Sequence, residues 1–190
     1  MEIQNAQDFQ ALSIARLIMQ AMNYDCCRYF TGPEHTLDDF ERVMTSLVLS
    51  DKSQYSYLNT LVAIDEDGGL CGACVSYDGA RLHELRKAFV DAAKENFGRD
   101  FSSMPDETQA GELYIDSIAV PESCRGKGIA TALLKATVEK ARGMGLPAAG
   151  LLVDTGNPKA EKLYTRLGFK TVGDASWGGH AMKHMQYIFK

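Results

Sequence analysis

The chain has 190 residues, 45% of them hydrophobic, which suits one domain with a substantial core. Its formal net charge of -5 argues against a general nucleic-acid-binding protein, which is normally basic. No stretch reaches the ~20 apolar residues that a membrane span requires, and no signal peptide is recognisable at the N-terminus. Five cysteines without a secretion signal favour reduced thiols. We therefore expect a cytoplasmic protein that binds neither nucleic acid nor membrane.

Apolar residues at helical spacing predict three amphipathic helices in the first half of the chain, over 8–22, 36–49 and 82–97. Asp8 is the candidate N-cap of the first, and Thr36 begins the second. Between the second and third helices, the apolar runs 61–64 and 71–77 flank an acidic, glycine-containing turn and predict a β-hairpin.

The Cys-x-x-Cys sequence at Cys71 and Cys74 invites a redox or zinc interpretation, which we reject. On a strand, residues three apart point to opposite faces, so these thiols are not expected to share a metal. No second cysteine or histidine pair completes a tetrahedral site, and the adjacent Cys26 and Cys27 lack ligand spacing. The sequence therefore predicts no metal site.

The second half of the chain begins with a polar loop over 98–111 and alternates strands with helices. A strand that starts at Glu112 ends before Pro121, and a glycine-containing loop then leads into a helix. The remaining predicted elements are a strand over 148–154, a helix over 158–167, a short run over 169–172 and a last strand over 185–189. No linker divides the chain, so we expect a single mixed α/β domain over 1–190.

The loop 125–130 reads Arg-Gly-Lys-Gly-Ile-Ala and joins a strand to a helix. Such a turn exposes unpaired backbone N–H groups at the positive end of a helix dipole, which is an anion site and most often one for phosphate. It does not match the P-loop pattern. It also lacks the third glycine of a dinucleotide fingerprint, although Asp154 imitates that motif's acidic ribose ligand.

Arg125-x-x-Gly128-x-Ala130 matches the Arg/Gln-x-x-Gly-x-Gly/Ala pattern for acyl-CoA binding in the GNAT superfamily of N-acetyltransferases. Downstream, the stretch 157–169 resembles the family's Asn-x-x-Ala-x-x-x-Tyr-x-x-x-Gly-Phe signature in the expected order and spacing. The strand before the loop resembles the family's central strand. The resemblance covers about 112–169, and the predicted hairpin agrees with the family layout.

The resemblance implies an α/β (α+β) fold with a mixed, mostly antiparallel sheet flanked by helices. It also implies a bulged central strand that splays from its neighbour in a V and admits the pantetheine arm of acetyl-CoA, with the N–H of Ile118 facing the thioester carbonyl. Asn157 is expected near the pantetheine or phosphate, and Tyr164 near the thioester sulfur. The donor-binding residues that it implies are Ile118, Ala119, Val120, Arg125, Gly126, Lys127, Gly128, Ile129, Ala130, Thr131 and Asn157.

Acyl transfer to an amine needs a base for the amine, donors for the oxyanion and an acid for the leaving thiolate. The resemblance makes Tyr164 the candidate acid, whereas helical spacing alone favours a core tyrosine. Glu112 and Asp116 are the candidate bases, because the two-residue period of their strand places them on one face unless a bulge intervenes. A solvated strand start for Glu112 and a structural role for Asp116 remain alternatives.

Three further features stay open. Cys124 lies beside the glycine loop, but no histidine nearby in sequence activates it as a nucleophile. Trp177, His180 and His184 are predicted in a loop before the last strand, either as a surface hairpin or, with Trp177, as a lining of the acceptor site. The segment 80–111 is longer than the corresponding family connection and is a candidate insertion that sets acceptor specificity.

The predicted function is transfer of an acetyl group from acetyl-CoA directly to a primary amine of a small molecule or peptide, without a metal. The alternative is a non-catalytic acyl-CoA sensor of the same fold, since a fold alone does not fix a function. The acceptor is not identified by the sequence. A homodimer through edge strands is compatible with it.

Overall fold

The computed structural model describes residues 1–190 and contains seven strands and six α-helices. The strands are β1 (Glu2–Asn5), β2 (Thr60–Ile64), β3 (Leu70–Asp78), β4 (Leu113–Ala119), β5 (Ala148–Asp154), β6 (Lys170–Trp177) and β7 (His180–Ile188). The helices are α1 (Ala11–Met22), α2 (Tyr24–Thr31), α3 (Leu37–Leu49), α4 (Leu82–Phe97), α5 (Ile129–Gly143) and α6 (Pro158–Arg166). None of these helices has the length and apolarity needed to cross a membrane.

The strands form one sheet in the order β1-β2-β3-β4-β5-β7-β6. Every neighbouring pair is antiparallel except β4 and β5. Side chains of α1, α2, α3 and α4 pack in an apolar cluster on one face, and those of α5 and α6 pack in a second cluster on the other. The prediction of a mixed, mostly antiparallel sheet flanked by helices is therefore confirmed.

The central strands separate from each other along their length. β4 pairs with β5 only over Leu113–Ile115, although β4 continues to Ala119 and β5 to Asp154. The ladder between β3 and β4 shifts register at Asp116, which is left as an extra residue on β4. Such a bulge bends its strand and increases the local twist. The predicted V-shaped opening and the bulge are both present, and they lie at the same level of the sheet.

The first half of the chain differs from the sequence prediction at two helices. A 3₁₀ turn over Asp8–Gln10 precedes α1, so Asp8 is not its N-cap. The helix α2 was not predicted, because it has only 8 residues and a single residue separates it from α1. The Oδ1 of Asn23 caps α2 by accepting the N–H of Cys26 at 2.9 Å. The prediction for α3 is confirmed, with Thr36 and Asp39 forming a reciprocal capping box.

The expectation that Cys71 and Cys74 face opposite sides of their strand is wrong. Both thiols pack in the apolar cluster beneath α5. The register between β2 and β3 shifts so that Ala63 pairs with Gly72 and Ile64 with Leu70, and Cys71 has no partner in the ladder. This bulge breaks the two-residue alternation on which the expectation rested. The structure contains no group of three or more His, Cys, Asp and Glu side chains that could hold a metal.

The C-terminal strands are longer than the sequence indicates, and β1 was not predicted at all. β6 and β7 form a hairpin in which Trp177 pairs with His180 across the turn Gly178–Gly179. Trp177, His180 and His184 are therefore strand residues, and the prediction that they lie in a loop is wrong. The polar composition of this hairpin hides its strands, because both faces carry exposed side chains over much of β6.

Candidate active site

The loop between β4 and α5 leaves a row of backbone donors unpaired. Gly126 and Gly128 both have φ of 77°, in the left-handed region that favours glycine. No atom lies within 4 Å of a Cβ built at either position, so the backbone there is open to a ligand. The conformation therefore requires glycine at both points, and it turns the chain directly into α5.

The amide of Arg125 is occupied, because it donates to Glu122 O at 3.2 Å. The first amide within α5 to donate to a carbonyl is that of Ala132, which donates to Gly128 O at 3.0 Å. The N–H groups of 126–131 donate to no acceptor of the chain, and they sit at the positive end of the α5 dipole. This arrangement suits a pyrophosphate group, which needs several donors directed at one point.

The opening between β4 and β5 starts beside this loop. Ile118, Ala119 and Val120 lie on the part of β4 and its continuation that has left β5. The carbonyl of Val120 accepts Gln20 Nε2 at 3.1 Å and Arg125 Nε at 3.3 Å. Arg125 thus uses its side chain to fix the exit of the strand, while its charged group stays exposed at the loop.

Asn157 and Tyr164 belong to α6, on the β5 side of the opening. Asn157 is the N-cap of the helix, and its Oδ1 accepts the amide of Ala160 at 3.1 Å. This bond leaves the Nδ2 group of Asn157 as its free donor at the surface. The helix therefore presents one amide donor at its start, and Tyr164 on the face that packs against the sheet.

Tyr164 is 9% exposed and packs against Phe169 with a ring-centroid separation of 6.0 Å. Its hydroxyl has no hydrogen-bond partner in the chain, yet it is not among the fully buried unpaired polar atoms, so it reaches an accessible space. Burial raises the pKa of Tyr164 to about 12, and the nearby Cys74 contributes in the same direction. The hydroxyl therefore stays protonated at neutral pH, which is the form that a general acid requires.

Asp116 is the extra residue of the β4 bulge and is half-buried. Its Oδ2 accepts Gln54 Nε2 at 3.1 Å, and its Oδ1 accepts the Ser117 hydroxyl at 2.7 Å. Burial and the negative charge of Glu107 raise the pKa of Asp116 to about 6. A carboxylate with a pKa close to neutral is a better general base than an ordinary aspartate, and at pH 7 it is still mostly ionised.

Glu112 has a different environment, although it lies only four residues before Asp116, immediately before the start of β4. It is 0% exposed. Its carboxylate accepts hydrogen bonds from the Thr108 hydroxyl at 2.6 Å, from Gln186 Nε2 at 2.8 Å and from His184 Nε2 at 2.8 Å. Burial acts to raise the pKa of Glu112, but these bonds outweigh it and the pKa lies below its ordinary value. The carboxylate lies over Gly150 of β5, where a Cβ would overlap it. This geometry ties β4 to β7 across β5.

Sequence reasoning missed the residues that surround Asp116. Gln54, Arg86 and Glu107 are buried polar side chains on the same face of the sheet. One signal was available: Arg86 stands at helical spacing between Leu82 and Phe89, within the apolar stripe of α4. A cation at such a position needs a buried partner. Neither Gln54 nor Glu107 carries a comparable local signal.

The remaining candidates form no hydrogen bond or ion pair with Asp116, Glu112 or Tyr164. The Sγ of Cys124 is 3.7 Å from the Ser123 hydroxyl and has no histidine as a hydrogen-bond partner. Trp177 packs against the α1–α4 side and lies 6.3 Å from Phe30 between ring centroids, with its indole N–H buried and unpaired. His180 Nδ1 lies 3.3 Å from Asp154 Oδ2, at the end of β5.

Comparisons with known proteins agree with this geometry. The sequence model of the acetyltransferase (GNAT) family matches residues 19–169. An acetyltransferase from Agrobacterium fabrum is 36% identical over 100 residues, which cover 52% of this chain and 72% of that protein. An L-methionine sulfoximine/L-methionine sulfone acetyltransferase from Pseudomonas aeruginosa is 39% identical over 57 residues, which cover 30% of this chain and 33% of that protein.

Solved structures extend the likeness to the whole chain. A crystal structure of an acetyltransferase superposes with a TM-score of 0.81 at 29% identity and covers 100% of both chains. An N-acetyltransferase from Staphylococcus aureus Mu50 superposes with a TM-score of 0.83 at 24% identity, covering 98% of this chain and 100% of the other, and supports the fold. The chain is an acyltransferase and belongs to the GNAT family of acetyltransferases.

Proposed function

We propose that the protein transfers an acetyl group from acetyl-CoA directly to a primary amine of a small molecule or peptide. The observation that carries this proposal is the opening between β4 and β5 beside a loop with unpaired N–H groups. An extended pantetheine arm fits a strand edge without a partner, and a pyrophosphate fits the start of α5. The two features adjoin each other, as one elongated donor requires.

The donor is assigned to specific groups on this basis. The amides of 126–131 would bind the pyrophosphate, with Lys127 adding a positive charge. Ile118, Ala119 and Val120 would pair with the pantetheine arm, and the Nδ2 group of Asn157 would donate to the same part of the donor. Arg125 would act through its side chain, because its amide already donates to Glu122. The amide of Ile118 would stabilise the oxyanion.

In the proposed reaction, the acceptor nitrogen attacks the thioester carbonyl carbon, an amide bond forms and the carbon–sulfur bond breaks. Before the attack, the acceptor ammonium loses one proton to Asp116, directly or through water, and Asp116 later releases it to solvent. The second proton leaves the nitrogen for solvent as the tetrahedral intermediate collapses. The electron pair of the broken bond leaves with sulfur, and the thiolate takes a proton from Tyr164, which regains one from solvent. A free alkylammonium has a pKa of about 10, so removal of its proton needs such a base near neutral pH.

Of the two candidate carboxylates, we assign the base to Asp116 and a structural role to Glu112. Asp116 is half-buried, its pKa is raised, and it lies at the bulge where the strands separate. Glu112 is fully buried, its pKa is lowered, and its oxygens are occupied by three donors. A lowered pKa makes a carboxylate a weaker base, and complete burial keeps it from the acceptor.

Free thiol release from acetyl-CoA tests the proposal. The acceptor panel contains polyamines, aminoglycosides, peptide amines and amino acids, the last class including methionine sulfoximine because a relative is named for it. We expect release above the amine-free rate with at least one class, and acetylation of its amine by mass spectrometry. Tight acetyl-CoA binding without release for any amine would instead support the sensor alternative.

Three broader proposals accompany this function. A single domain over 1–190 is supported by a sheet that takes β1 from one end of the chain and β7 from the other. A cytoplasmic location is supported by the free cysteines. A homodimer would form through the edge strands β1 and β6 of the sheet, and sedimentation of the protein tests it directly.

A further inference from the structure

Four polar residues that are distant in sequence meet beneath the β4 bulge. Gln54 is 3% exposed, Arg86 6% and Glu107 7%, and they adjoin Asp116 on the side of the sheet covered by α4. Gln54 precedes β2, Arg86 lies on α4 and Glu107 lies in the loop that follows it. Burying polar side chains costs free energy unless hydrogen bonds satisfy them, so a buried polar network calls for a specific role.

Arg86 holds the loop in place. Its Nη1 donates to Met104 O at 3.1 Å, and its Nη2 donates to Pro105 O at 3.0 Å and forms a close ion pair with Glu107. The planar guanidinium can satisfy these acceptors together, which a lysine could not. Asp106 adds a more exposed ion pair to Nη1 at 3.4 Å. The segment after α4 is thereby fixed by one side chain of α4 itself.

Gln54 connects this ion pair to Asp116. Its Nε2 donates to Glu107 Oε1 at 3.3 Å and to Asp116 Oδ2 at 3.1 Å, while its backbone amide donates to Leu85 O at 3.3 Å. Tyr77 donates its hydroxyl to the same Glu107 oxygen at 3.0 Å. Because both side-chain N–H bonds of Gln54 go to carboxylates, its amide orientation is fixed, and the two carboxylates are held close to one another.

We propose that Arg86 and Glu107 are positioning residues that set the charge and orientation of Asp116 through Gln54. This inference rests on the proposed function, in which Asp116 is the base. Glu107 places a negative charge beside Asp116, and Arg86 compensates that charge in part. The segment after α4 therefore contributes to the chemistry of β4 through Glu107, by way of Gln54.

The charges around Asp116 have opposite effects on its pKa. Glu107 raises the pKa of Asp116 and Arg86 lowers it, in addition to the larger upward effect of burial. The other titratable groups that face Asp116 are neutral, because burial raises their own pKa values well above neutral pH. These groups are Tyr55 before β2, Tyr77 and Cys74 on β3, and Tyr114 on β4. Glu107 and Arg86 are thus the two charged groups that shift the pKa of Asp116, beside the larger effect of burial.

Two substitutions that each remove one charge test the inference through shifts of opposite sign. Glu107→Gln should lower the pKa of Asp116 by roughly one unit, and Arg86→Gln should raise it by roughly one unit. The direct measurement is a ¹³C titration of carboxyl-labelled aspartate, with the Asp116 signal assigned by its loss in Asp116→Asn. The second measurement is the acidic limb of kcat/KM against pH with the best amine of the panel.

Matched controls separate a charge effect from damage to the fold. Glu84→Gln removes an exposed carboxylate from α4 and should shift neither profile. If Arg86→Gln does not fold, the double variant Arg86→Gln/Glu107→Gln removes both charges and should place the pKa of Asp116 above that of Glu107→Gln alone. A general structural disturbance would not order the variants in this way.

The two measurements distinguish the failure of this inference from that of the proposed function. Opposite shifts in both profiles support both. Opposite shifts in the carboxyl titration with an unchanged kinetic limb would retain the positioning roles and remove Asp116 as the base. An unchanged carboxyl titration in Glu107→Gln, or shifts of the same sign in the two variants, would overturn the inference itself.

Discussion

The two faces of the sheet carry different kinds of polar group. Under α5 and α6 the side chains are mostly apolar, with Thr137 and Lys140 of α5 as polar exceptions, and the proposed donor contacts come from backbone amides of the glycine loop. Under α1–α4 the sheet buries an ion pair, a bridging glutamine and the bulge carboxylate. Backbone donors need only the right dihedral angles, whereas side-chain networks need residues from several elements. Donor recognition is therefore local in sequence, and acceptor chemistry is distributed.

The largest expected effect tests the α1–α4 side of the sheet, which carries the proposed acceptor chemistry. Asp116→Asn keeps the size of the side chain but removes the base, so kcat/KM should fall by about 10²–10⁴-fold while the Kd for acetyl-CoA stays within about twofold. In the native enzyme, kcat/KM should rise with pH as Asp116 loses its proton near its pKa of about 6. Steady-state kinetics and calorimetric titration measure both quantities. Full activity in Asp116→Asn would remove the proposed base.

The second prediction tests the glycine loop before α5, which carries the proposed donor contacts. Gly128→Val places a β-branched residue at φ 77°, and strain of roughly 1–3 kcal/mol should weaken acetyl-CoA binding by about 10–100-fold. Gly68→Val is the matched control, because Gly68 has φ 83° and equally open space in the β2–β3 turn, away from the loop. Calorimetry should show weaker binding only in Gly128→Val. Equal affinities in the two variants would separate the glycine loop from donor binding.

Tyr164→Phe should have a smaller effect, since water can also protonate a thiolate. We expect kcat to fall by roughly tenfold, with an unchanged Kd for acetyl-CoA. Tyr187→Phe is a suitable control, because Tyr187 also packs against Phe169 but lies on β7. Pre-steady-state measurement of thiol release locates the loss in the chemical step. An unaltered kcat would exclude Tyr164 from the mechanism.

The smallest expected effect concerns stability. Glu112→Gln should lower the free energy of unfolding by about 1 kcal/mol, since one of its three donors loses an acceptor. The pKa of Glu112 is lowered in the folded protein, so its contribution is present above the ordinary value of 4.5 and is lost as the pH falls through the folded pKa.

Asp116 has the opposite linkage. Its folded pKa of about 6 exceeds the ordinary 3.8, so its charge destabilises the fold as the pH rises from 3.8 through 6. Urea unfolding at pH 8 should therefore show Glu112→Gln less stable than the native protein and Asp116→Asn no less stable. The reverse order would contradict the assignment of a structural role to Glu112 and a catalytic role to Asp116.

The elements on the α5–α6 side of the sheet, with the glycine loop, could be predicted almost completely from the sequence. The glycine loop, β5 and α6 depend on neighbouring residues, and their predictions agree with the structure. The glycine loop can be predicted from the sequence because its dihedral angles require glycine at fixed positions.

The polar network around Asp116 could not be predicted from the sequence in the same way. Two bulges, at Cys71 and Asp116, break the alternation that predicts which way a strand residue points. The family resemblance predicts a bulge in β4 but not the residue at which it lies, and nothing in the sequence marks the bulge at Cys71. The contact between Gln54 and Asp116 spans 62 residues, and that between Glu112 and His184 spans 72. Such contacts follow from the strand order, which a single sequence does not display.

The short pairing between β4 and β5 has a consequence for the stability of the whole molecule. The ladder covers only Leu113–Ile115, so β1–β4 and β5–β7 meet along a weak seam in the middle of the sheet. A donor lying in that seam would join the two halves, and ligand that binds only the native state stabilises it by mass action. We expect saturating acetyl-CoA to slow amide hydrogen exchange on both sides of the seam, so the substrate also serves as a structural element of the folded enzyme.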